Sequence, residues 1–539
     1  MKLKIKSTLL ALLSVVLSIN LTSCVNDLDV TPIDPSVTQT FNQNSVFAKV
    51  YSSLALTGQE GAAGTPDINT SVIDEGTSSF IRLIWNLNEL SSDEALCCWL
   101  TDPGVVDLNG NKWTSSNAQV KGMYARLYFG VTICNHFLEQ TTGITDAETV
   151  KQRAEVRFIR ALNYFYLLDM FGNVPFTEVV ATEAPTQIKR ADLYSWIEKE
   201  LSECEADMYD ARQAPYYRVD KVANWLLRSR LYLNAEVYTG TAQWNNAAIY
   251  AKKVLDSEYS LCKPYKLLFM ADNAGTVDNS TNTAPNEIIL PIACDGIKTK
   301  SWGNSLFLVA STHNSDMPNW GSAGWGGNRA RAALSSKFFP SGTIPSNADL
   351  TDLTTAAGDD RAMLFAFDRT FEIASNKETD FKLGLSVMKY SNVRSDGGAT
   401  NDVLHTDTDV PLLRKAEAYL TYGEAVFRGG AQVNGLTALA AVNALRERAN
   451  AALLQNLNLN NLLDEWSREF YFEGRRRMDL IRFGKFGGSD YNWEWKGGSR
   501  SGVQFSSDYN LFPIPSTDLN ANPNLKQNPY YEETSTSIR

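Results

Sequence analysis

Four tryptophans are candidates for ligand contact, and two of them lie in residues 316–328, a polar segment with neither helical nor strand periodicity. They are Trp99 in CCWLTDP, Trp302 in KSWGN, and Trp320 and Trp325 in DMPNWGSAGWGGN. A pyranose ring has an apolar face of C–H groups, and stacking it on an indole removes apolar surface from water at about 25 cal/mol per Å². Most tryptophans are nevertheless core residues with one hydrogen-bonded edge. The sequence leaves both interpretations open for each of the four side chains.

Adjacent acids suggest a second kind of chemistry. Asp74/Glu75 and Asp93/Glu94 are neighbouring carboxylates, and glycoside hydrolysis needs two carboxyl groups roughly 5 to 10 Å apart. Such pairs are also common on solvated loops. The chain has three histidines and no HExxH, GxSxG or P-loop motif, so the usual hydrolase, metalloprotease and nucleotide-dependent mechanisms have no signature. We therefore predict that the protein is not an enzyme and requires no cofactor.

Two further acids are candidates for a structural metal. Asp407 and Asp409 occur in TDTDVP, immediately before a segment with helical periodicity. Carboxylate oxygens are the ligands that Ca²⁺ prefers, so the pair predicts a structural calcium site. A cap at the helix entry explains the same residues equally well.

Helical periodicity dominates two parts of the chain. Residues 152–171, QRAEVRFIRALNYFYLLDMF, repeat apolar side chains at helical spacing. Residues 220–238 and 244–255 form a helical pair whose small and aromatic residues resemble a tetratricopeptide repeat. A second pair is predicted at 412–427 and 436–449. Because such pairs cannot bury their apolar faces alone, the two parts must meet in space.

These elements predict an all-α fold built on a tetratricopeptide-like scaffold. The scaffold lies mainly in residues 120–260 and 410–480, within a single domain from 24 to 539. Residues from about 270 to 405 are rich in Gly, Asn, Ser and Asp. We expect them to form a loop-rich lobe on the scaffold, where binding residues are usually found.

A dense charge cluster lies in FEGRRRMDL, which includes Glu473, Arg475, Arg476 and Arg477. A basic cluster of this kind is one form of anion site. Its alternation with apolar residues instead favours an amphipathic helix with paired charges.

The N-terminus has the pattern of an export signal. Residues 1–23 contain three lysines, then a short apolar run and small residues before Cys24 in LTSC. This pattern predicts a lipoprotein signal peptide with acylation of Cys24, and a plain signal peptide is the alternative. An acyl chain contributes roughly 0.8 kcal/mol per buried methylene, so a multiply acylated cysteine holds the protein on a membrane without a spanning helix.

The charge balance bears on possible partners. Loss of residues 1–23, which carry three lysines and no acid, changes the formal net charge from −11 to −14. Phosphate binding needs a basic surface, so nucleic acid is not an expected partner.

Several segments together resemble one family. The N-terminal CVNDLDVTPIDP, the helix RAEVRFIRALNYFYLLDMFGNVPF, the segment EADMYDARQAP, the helix WSREFYFEGRRRMDLIRFGKF and the C-terminal FPIPSTDLNANPNLKQNPYY resemble the SusD/RagB family. These are nutrient-binding outer-membrane lipoproteins of Bacteroidetes. The likeness extends from Cys24 to Tyr531.

The resemblance implies a helical fold with four tetratricopeptide-like pairs, no catalytic activity, and a position at the cell surface. It implies a SusC-like TonB-dependent transporter as partner, over which the lipoprotein sits as a lid. Starch-binding members use an arc of aromatics that follows the curvature of an α-1,4-glucan, here a starch chain or maltooligosaccharide. Carried onto this chain, the arc consists of Trp99, Trp302 and Trp325, with Asp74 and Arg82 as polar partners. The same role for another glycan or a peptide is the alternative. A glycoside hydrolase and a helical-repeat adaptor are more distant ones.

Two positions depart from the starch-binding pattern. Cys97 stands where those members have another Trp, and Asp102 stands where they have an Asn that bonds sugar hydroxyls. An aspartate accepts hydrogen bonds but does not donate them, so we expect some sugar contacts to change. Trp320 is an additional aromatic that we expect to replace the missing one.

Overall fold

The computed structural model describes residues 41–531, apart from 315–316, 318–320, 323, 374–378 and 500. The predicted signal peptide, Cys24 and Trp320 lie outside the described residues. Contacts divide the chain after Gln43, so that residues 41–43 belong to one unit and those from Asn44 onward to the other.

Helices make up most of the regular structure, which confirms the predicted fold class. The α-helices of the described residues are α1 Gln43–Ser52, α2 Phe80–Trp85, α3 Val105–Gly110, α4 Ala118–Gln140, α5 Ala147–Phe171, α6 Arg190–Cys204, α7 Lys221–Leu233, α8 Ala235–Thr239, α9 Trp244–Leu255, α10 Ser305–Ala310, α11 Ala332–Phe338, α12 Leu350–Ala357, α13 Ala416–Phe427, α14 Ala438–Arg448, α15 Leu459–Phe470, α16 Arg476–Arg482 and α17 Ser516–Ala521.

The described strands are short and pair in antiparallel twos: β1 with β5, β2 with β3, β4 with β8, and β6 with β7. Their bounds are β1 Ala95–Cys97, β2 Val174–Pro175, β3 Gln187–Ile188, β4 Ile288–Ile292, β5 Asn328–Ala330, β6 Leu364–Phe365, β7 Ser386–Val387 and β8 Val410–Arg414. In the described part of residues 270–405, no helix exceeds the eight residues of α12.

The scaffold begins with two long helices that pack side by side, α4 and α5. Each has a side-chain cap at its N-terminus, from Asn117 and Asp146 respectively. The helices approach closely at Gly130, where a Cβ atom would lie 2.6 Å from the Asn163 amide oxygen. The close contact explains a glycine in a helix interior, where it costs roughly 1 kcal/mol relative to alanine.

The two helical parts of the chain meet through α9 and α13. Helix α9 packs against both α7 and α13, and α13 packs in turn against α14. The apolar faces of residues 221–255 and 416–448 are therefore buried against each other, as stacked helical pairs require.

Three helix predictions were wrong in detail. Residues 410–414 form strand β8, so the helix expected from 412 begins at Ala416. Pairing with β4 outweighs the local helical periodicity there. The helix expected across WSREFYFEGRRRMDLIRFGKF is interrupted between α15 and α16, where Phe472 and Gly474 have φ angles of 62° and 73°. Residues 220–238 are likewise two helices, α7 and α8, that meet at Asn234.

The arginines of FEGRRRMDL are paired with acids, as the charge pattern predicts. Arg476 contacts Asp93 at 2.8 Å, and Arg477 contacts Asp169 at 2.9 Å. The expected solvent-facing side of the helix is absent, since every residue of α16 is buried. Buried charges are tolerated because each guanidinium meets carboxylates at hydrogen-bonding distance.

Candidate functional site

Three of the predicted tryptophans form a row. The ring centroids of Trp302 and Trp325 are 6.4 Å apart, and those of Trp325 and Trp99 are 6.5 Å apart. All three side chains are half-buried. By contrast, Trp85 and Trp466 are 2% and 1% exposed and belong to the core. The three tryptophans thus present partly accessible rings side by side, whereas a core role requires full burial.

The ladder between β1 and β5 positions two of the rings. Cys97 is paired with Asn328, and the backbone N–H of Cys98 donates to the Gly327 carbonyl at 3.0 Å. Trp99 follows β1 and Trp325 precedes β5, so both leave the ladder at the same end. Cys97, where starch-binding relatives were expected to have another ring, is a buried strand residue.

Gly327 allows Trp99 to lie directly on the backbone of the opposite strand. Its φ is 137°, and a Cβ atom at this position would overlap the Trp99 indole. A side chain at 327 is incompatible with the observed ring position, so this glycine is required for the placement of Trp99.

Helix α10 connects the third ring, Trp302, to Trp325. Trp302 lies just before the helix, whose N-terminus is capped by the Asn304 side chain. The backbone N–H of Trp325 donates to the carbonyl of Ala310, the last residue of the helix, at 2.9 Å. One rigid element therefore sets the relative position of Trp302 and Trp325.

Arg82 lies beside the row and is fixed from several directions. Its backbone N–H donates to the Gly303 carbonyl at 3.1 Å. The guanidinium carbon is 5.1 Å from the Phe307 ring centroid and 5.9 Å from that of Trp99. Arg82 Nη2 also forms an ion pair with Asp102 Oδ2 at 3.0 Å. Asp102 therefore has a structural partner that an asparagine would hold less strongly.

Asp74 is exposed and lies in the turn that packs on Trp302. Its Oδ1 accepts a hydrogen bond from the Thr77 backbone N–H at 3.0 Å. Gly76, in the same turn, approaches Trp302 so closely that a Cβ atom would lie 2.9 Å from the Trp302 Cβ. The carboxylate is thus held next to one end of the row, where sugar hydroxyls are potential donors.

Sequence reasoning missed one aromatic neighbour of the row. The ring centroid of His405 lies 5.1 Å from that of Trp302, and its Nδ1 is buried without a hydrogen-bond partner. Burial lowers the pKa of His405, which favours the neutral imidazole at pH 7. Nothing in the local sequence indicates this proximity, because 103 positions of sequence separate the two residues.

The predicted calcium ligands lie before strand β8 and not before a helix, so the cap alternative is wrong. Asp407 Oδ2 accepts from the Asn401 N–H and Asp409 Oδ1 accepts from the Cys294 N–H, both at 2.8 Å. The second oxygen of each carboxylate is buried without a hydrogen-bond partner. Burial raises the pKa of Asp407 to about 6 and that of Asp409 well above its ordinary value.

A cation is one group that would satisfy these two oxygens. Against this, the described residues contain no group of three or more His, Cys, Asp or Glu side chains arranged for a metal. Other ligands would therefore have to be backbone carbonyls or water.

Comparison with known proteins identifies the family of this chain. A family model described as "SusD family" matches residues 367–531, and one described as "Starch-binding associating with outer membrane" matches residues 28–233. The starch-binding protein SusD of Bacteroides thetaiotaomicron is 45% identical to the chain, over 98% of this chain and 99% of that protein. The chain belongs to the SusD/RagB family. Another relative, SusD-like protein P2 of Formosa agariphila, is 22% identical over 78% of this chain and 82% of its own.

Solved structures share the SusD/RagB fold. A SusD-like carbohydrate-binding protein from Bacteroides fragilis covers 90% of this chain and 98% of its own, with a TM-score of 0.68 and 20% identity. Surface glycan-binding protein A from Bacteroides thetaiotaomicron, solved with laminarihexaose, gives a TM-score of 0.64 at 18% identity, over 90% and 98%. No helix in the described part of this SusD/RagB chain is long and apolar enough to cross a membrane.

Proposed function

We propose that the protein captures starch-type α-1,4-glucan at the cell surface and delivers it to a SusC-like TonB-dependent transporter. The observation that carries the proposal is the row of three half-buried tryptophans, bordered by the Arg82–Asp102 ion pair. Indole faces bind the apolar faces of successive sugars, and the charged groups bond the hydroxyls around them. The close relative named as starch-binding supports the choice of glucan.

The role is binding without catalysis. In a glycosidase of the usual type, two carboxyl groups face each other across the bond that is cleaved. Beside this row, the Asp102 carboxylate is instead engaged by Arg82, and Asp74 caps its own turn. The starch-binding relative and the SusD-like carbohydrate-binding neighbour are both named for binding, which also favours binding.

Affinity electrophoresis of residues 25–539 against a panel of polysaccharides tests the proposal. We expect retardation by amylopectin and glycogen, weaker retardation by dextran and laminarin, and no release of reducing sugar. Preferential retardation by another polysaccharide would show a different glycan substrate. Migration unchanged by every polysaccharide would contradict a glycan-binding role.

Acylation of Cys24 is the proposed means of attachment to the outer membrane. Replacing Cys24 with alanine should yield a folded protein that binds glycan but appears in the soluble fraction, because the acyl chains supply the membrane affinity. Fractionation should be done in cells that lack the transporter, so that protein contacts do not retain the variant. Retention of the variant in the membrane fraction of those cells would contradict acylation of Cys24.

We also propose that Asp407 and Asp409 bind a structural calcium ion. Without metal, the pKa of Asp407 is higher in the folded protein than in the unfolded chain. The contribution of this carboxyl group to the free energy of unfolding is therefore full below about pH 4, and it is lost as the pH rises through about 6. Asp407→Asn should therefore raise the melting temperature of the calcium-free protein at pH 7.5 but not at pH 3.5. Added calcium should stabilise the wild type more than the variant. Equal effects of calcium on both proteins in thermal melts would exclude a site at Asp407.

A further inference from the structure

A second aromatic cleft lies outside the tryptophan row. It encloses about 200 Å³ between residues 212–218 and residues 274–291. Three tyrosines line it, Tyr216, Tyr217 and Tyr259, together with prolines and aliphatic side chains. None of the residues assigned above to the glucan platform takes part. The volume accommodates a group about the size of one sugar ring.

The aromatic side chains of the cleft are arranged at angles. The ring centroids of Tyr216 and Tyr217 are 4.6 Å apart with an interplanar angle of 62°. The Arg212 guanidinium carbon lies 5.2 Å from the Tyr259 ring centroid. Arg212 Nη1 donates to the Pro285 carbonyl at 3.3 Å. Arg212 is exposed and lines the cleft, and in the described part of the chain no carboxylate forms an ion pair with it.

The backbone of this segment is strained at two positions that line the cleft. Arg212 and Tyr217 have φ angles of 57° and 75°, although neither is a glycine. Such conformations cost about 1 to 3 kcal/mol each and occur preferentially at ligand sites. Surrounding contacts hold them, because the Arg212 N–H donates to Asp220 at 2.8 Å and Arg218 forms an ion pair with Glu155.

The hydroxyl of Tyr216 is a polar group without a partner. Its oxygen is buried, and it forms no hydrogen bond. A tyrosine hydroxyl is protonated at neutral pH, so this group is able to donate a hydrogen bond. A buried donor left unpaired costs about 1 to 3 kcal/mol, which a ligand oxygen in the cleft would offset.

We propose that this tyrosine cleft is a second glycan subsite, which takes a single neutral sugar ring of a chain held at the tryptophan row or of a neighbouring branch. Tilted aromatic faces, an unpaired donor and a guanidinium without an ion-pair partner match a ring that carries both C–H faces and hydroxyl acceptors. A groove for a proline-rich peptide needs an extended aromatic surface, whereas this cleft is compact. The inference rests on the proposed function and adds a second point of attachment to it.

The expected consequence is a difference between long and short glucans. A short oligosaccharide occupies the tryptophan row alone, whereas a branched polymer contacts both sites and gains apparent affinity through effective concentration. Replacing Arg212 and Tyr216 together with alanine should therefore weaken amylopectin binding about 5- to 20-fold. The affinity for maltohexaose should change less than about 2-fold, because substitutions at well-separated sites affect one another only slightly.

Affinity electrophoresis with amylopectin and calorimetry with maltohexaose measure the two quantities. Tyr216→Phe, which removes one hydroxyl, provides a milder variant if the double variant melts early, and it should weaken amylopectin binding by about 3-fold. Tyr491→Ala is the matched control, because Tyr491 is 37% exposed and lines neither site. It should leave both measurements unchanged.

The possible results separate the two proposals. Failure of the wild type to bind any glucan would overturn the proposed function and this inference together. Wild-type binding of amylopectin that neither cleft variant weakens would overturn the inference alone. Equal weakening for maltohexaose and amylopectin would place the tyrosines in the main site, and binding of a decaproline peptide lost in Tyr216→Phe would show a peptide site. Both results would overturn a separate sugar subsite.

Discussion

Replacing Trp99 and Trp325 together with alanine is expected to abolish measurable binding of maltohexaose while the protein remains folded. Each ring contributes about 1 to 2 kcal/mol through burial of apolar sugar surface, so a single replacement weakens binding about 5- to 30-fold. The same single change at Trp302 should have a similar effect. Calorimetric titration gives the affinities, and thermal melts of the same samples report folding.

Trp85 supplies the matched control for these variants. It is 2% exposed and packs edge-on against Phe307, which lies under Arg82. Its replacement with alanine should cost about 3 to 5 kcal/mol of the free energy of unfolding, as expected for a core aromatic. If Trp99→Ala, Trp302→Ala and Trp325→Ala instead lower the melting temperature and leave maltohexaose affinity unchanged, the three rings are core residues and the proposed platform is wrong.

Replacing Arg476 with glutamine is expected to lower the free energy of unfolding by about 3 to 5 kcal/mol, because it leaves buried carboxylates without their partner. Arg476 is 3% exposed and contacts Asp93 at 2.8 Å and Glu94 at 3.2 Å. Even with this guanidinium present, burial raises the pKa of Glu94 to about 7. Urea unfolding at pH 8 measures the loss of stability. The free energy of maltohexaose binding to the folded variant should change by less than the free energy of unfolding.

An exposed ion pair tests whether burial causes this effect. Lys221 contacts Asp210 at 2.6 Å, but the Asp210 side chain is 77% exposed. Lys221→Gln should leave the unfolding midpoint unchanged, because solvent screens such pairs. An Arg476 variant with unchanged stability and lost glycan binding would mean that the arginine serves glycan binding and not the stability of the core.

Long helices were predictable because the apolar positions of their sequence repeat are the positions that are buried in the fold. Residues 244–255 were predicted with the bounds of α9. The failures lie where tertiary contacts override local pattern. β8 is a strand because β4 supplies its hydrogen-bond partners from more than a hundred residues away. The break after α15 depends on a positive φ at Phe472, which no sequence rule predicts for an aromatic residue.

The sequence predicted the types of residue in the candidate site, but it did not predict how they are arranged in space. Polar context suggested stacking for the tryptophans, and the family resemblance supplied Asp74 and Arg82. The order of the rings, the Arg82–Asp102 ion pair and the proximity of His405 all depend on the β1–β5 register and on α10. Such long-range pairings leave no local trace in the sequence. Trp320 and Cys24 lie outside the described residues, so the roles assigned to them stay predictions.

Successive indole planes in the row differ by 50° and 55°. A flat, ribbon-like polymer that lies face-on against one ring therefore meets the next at a steep angle, whereas a chain that turns from sugar to sugar can place a face on each. Because α10 and the β1–β5 ladder fix these angles, we expect the row, in its proposed role, to sort polymers by backbone curvature before any hydroxyl group is recognised. Loss of the hydrogen bonds around Asp102 would then weaken binding of all glucans while preserving the order in which they are preferred.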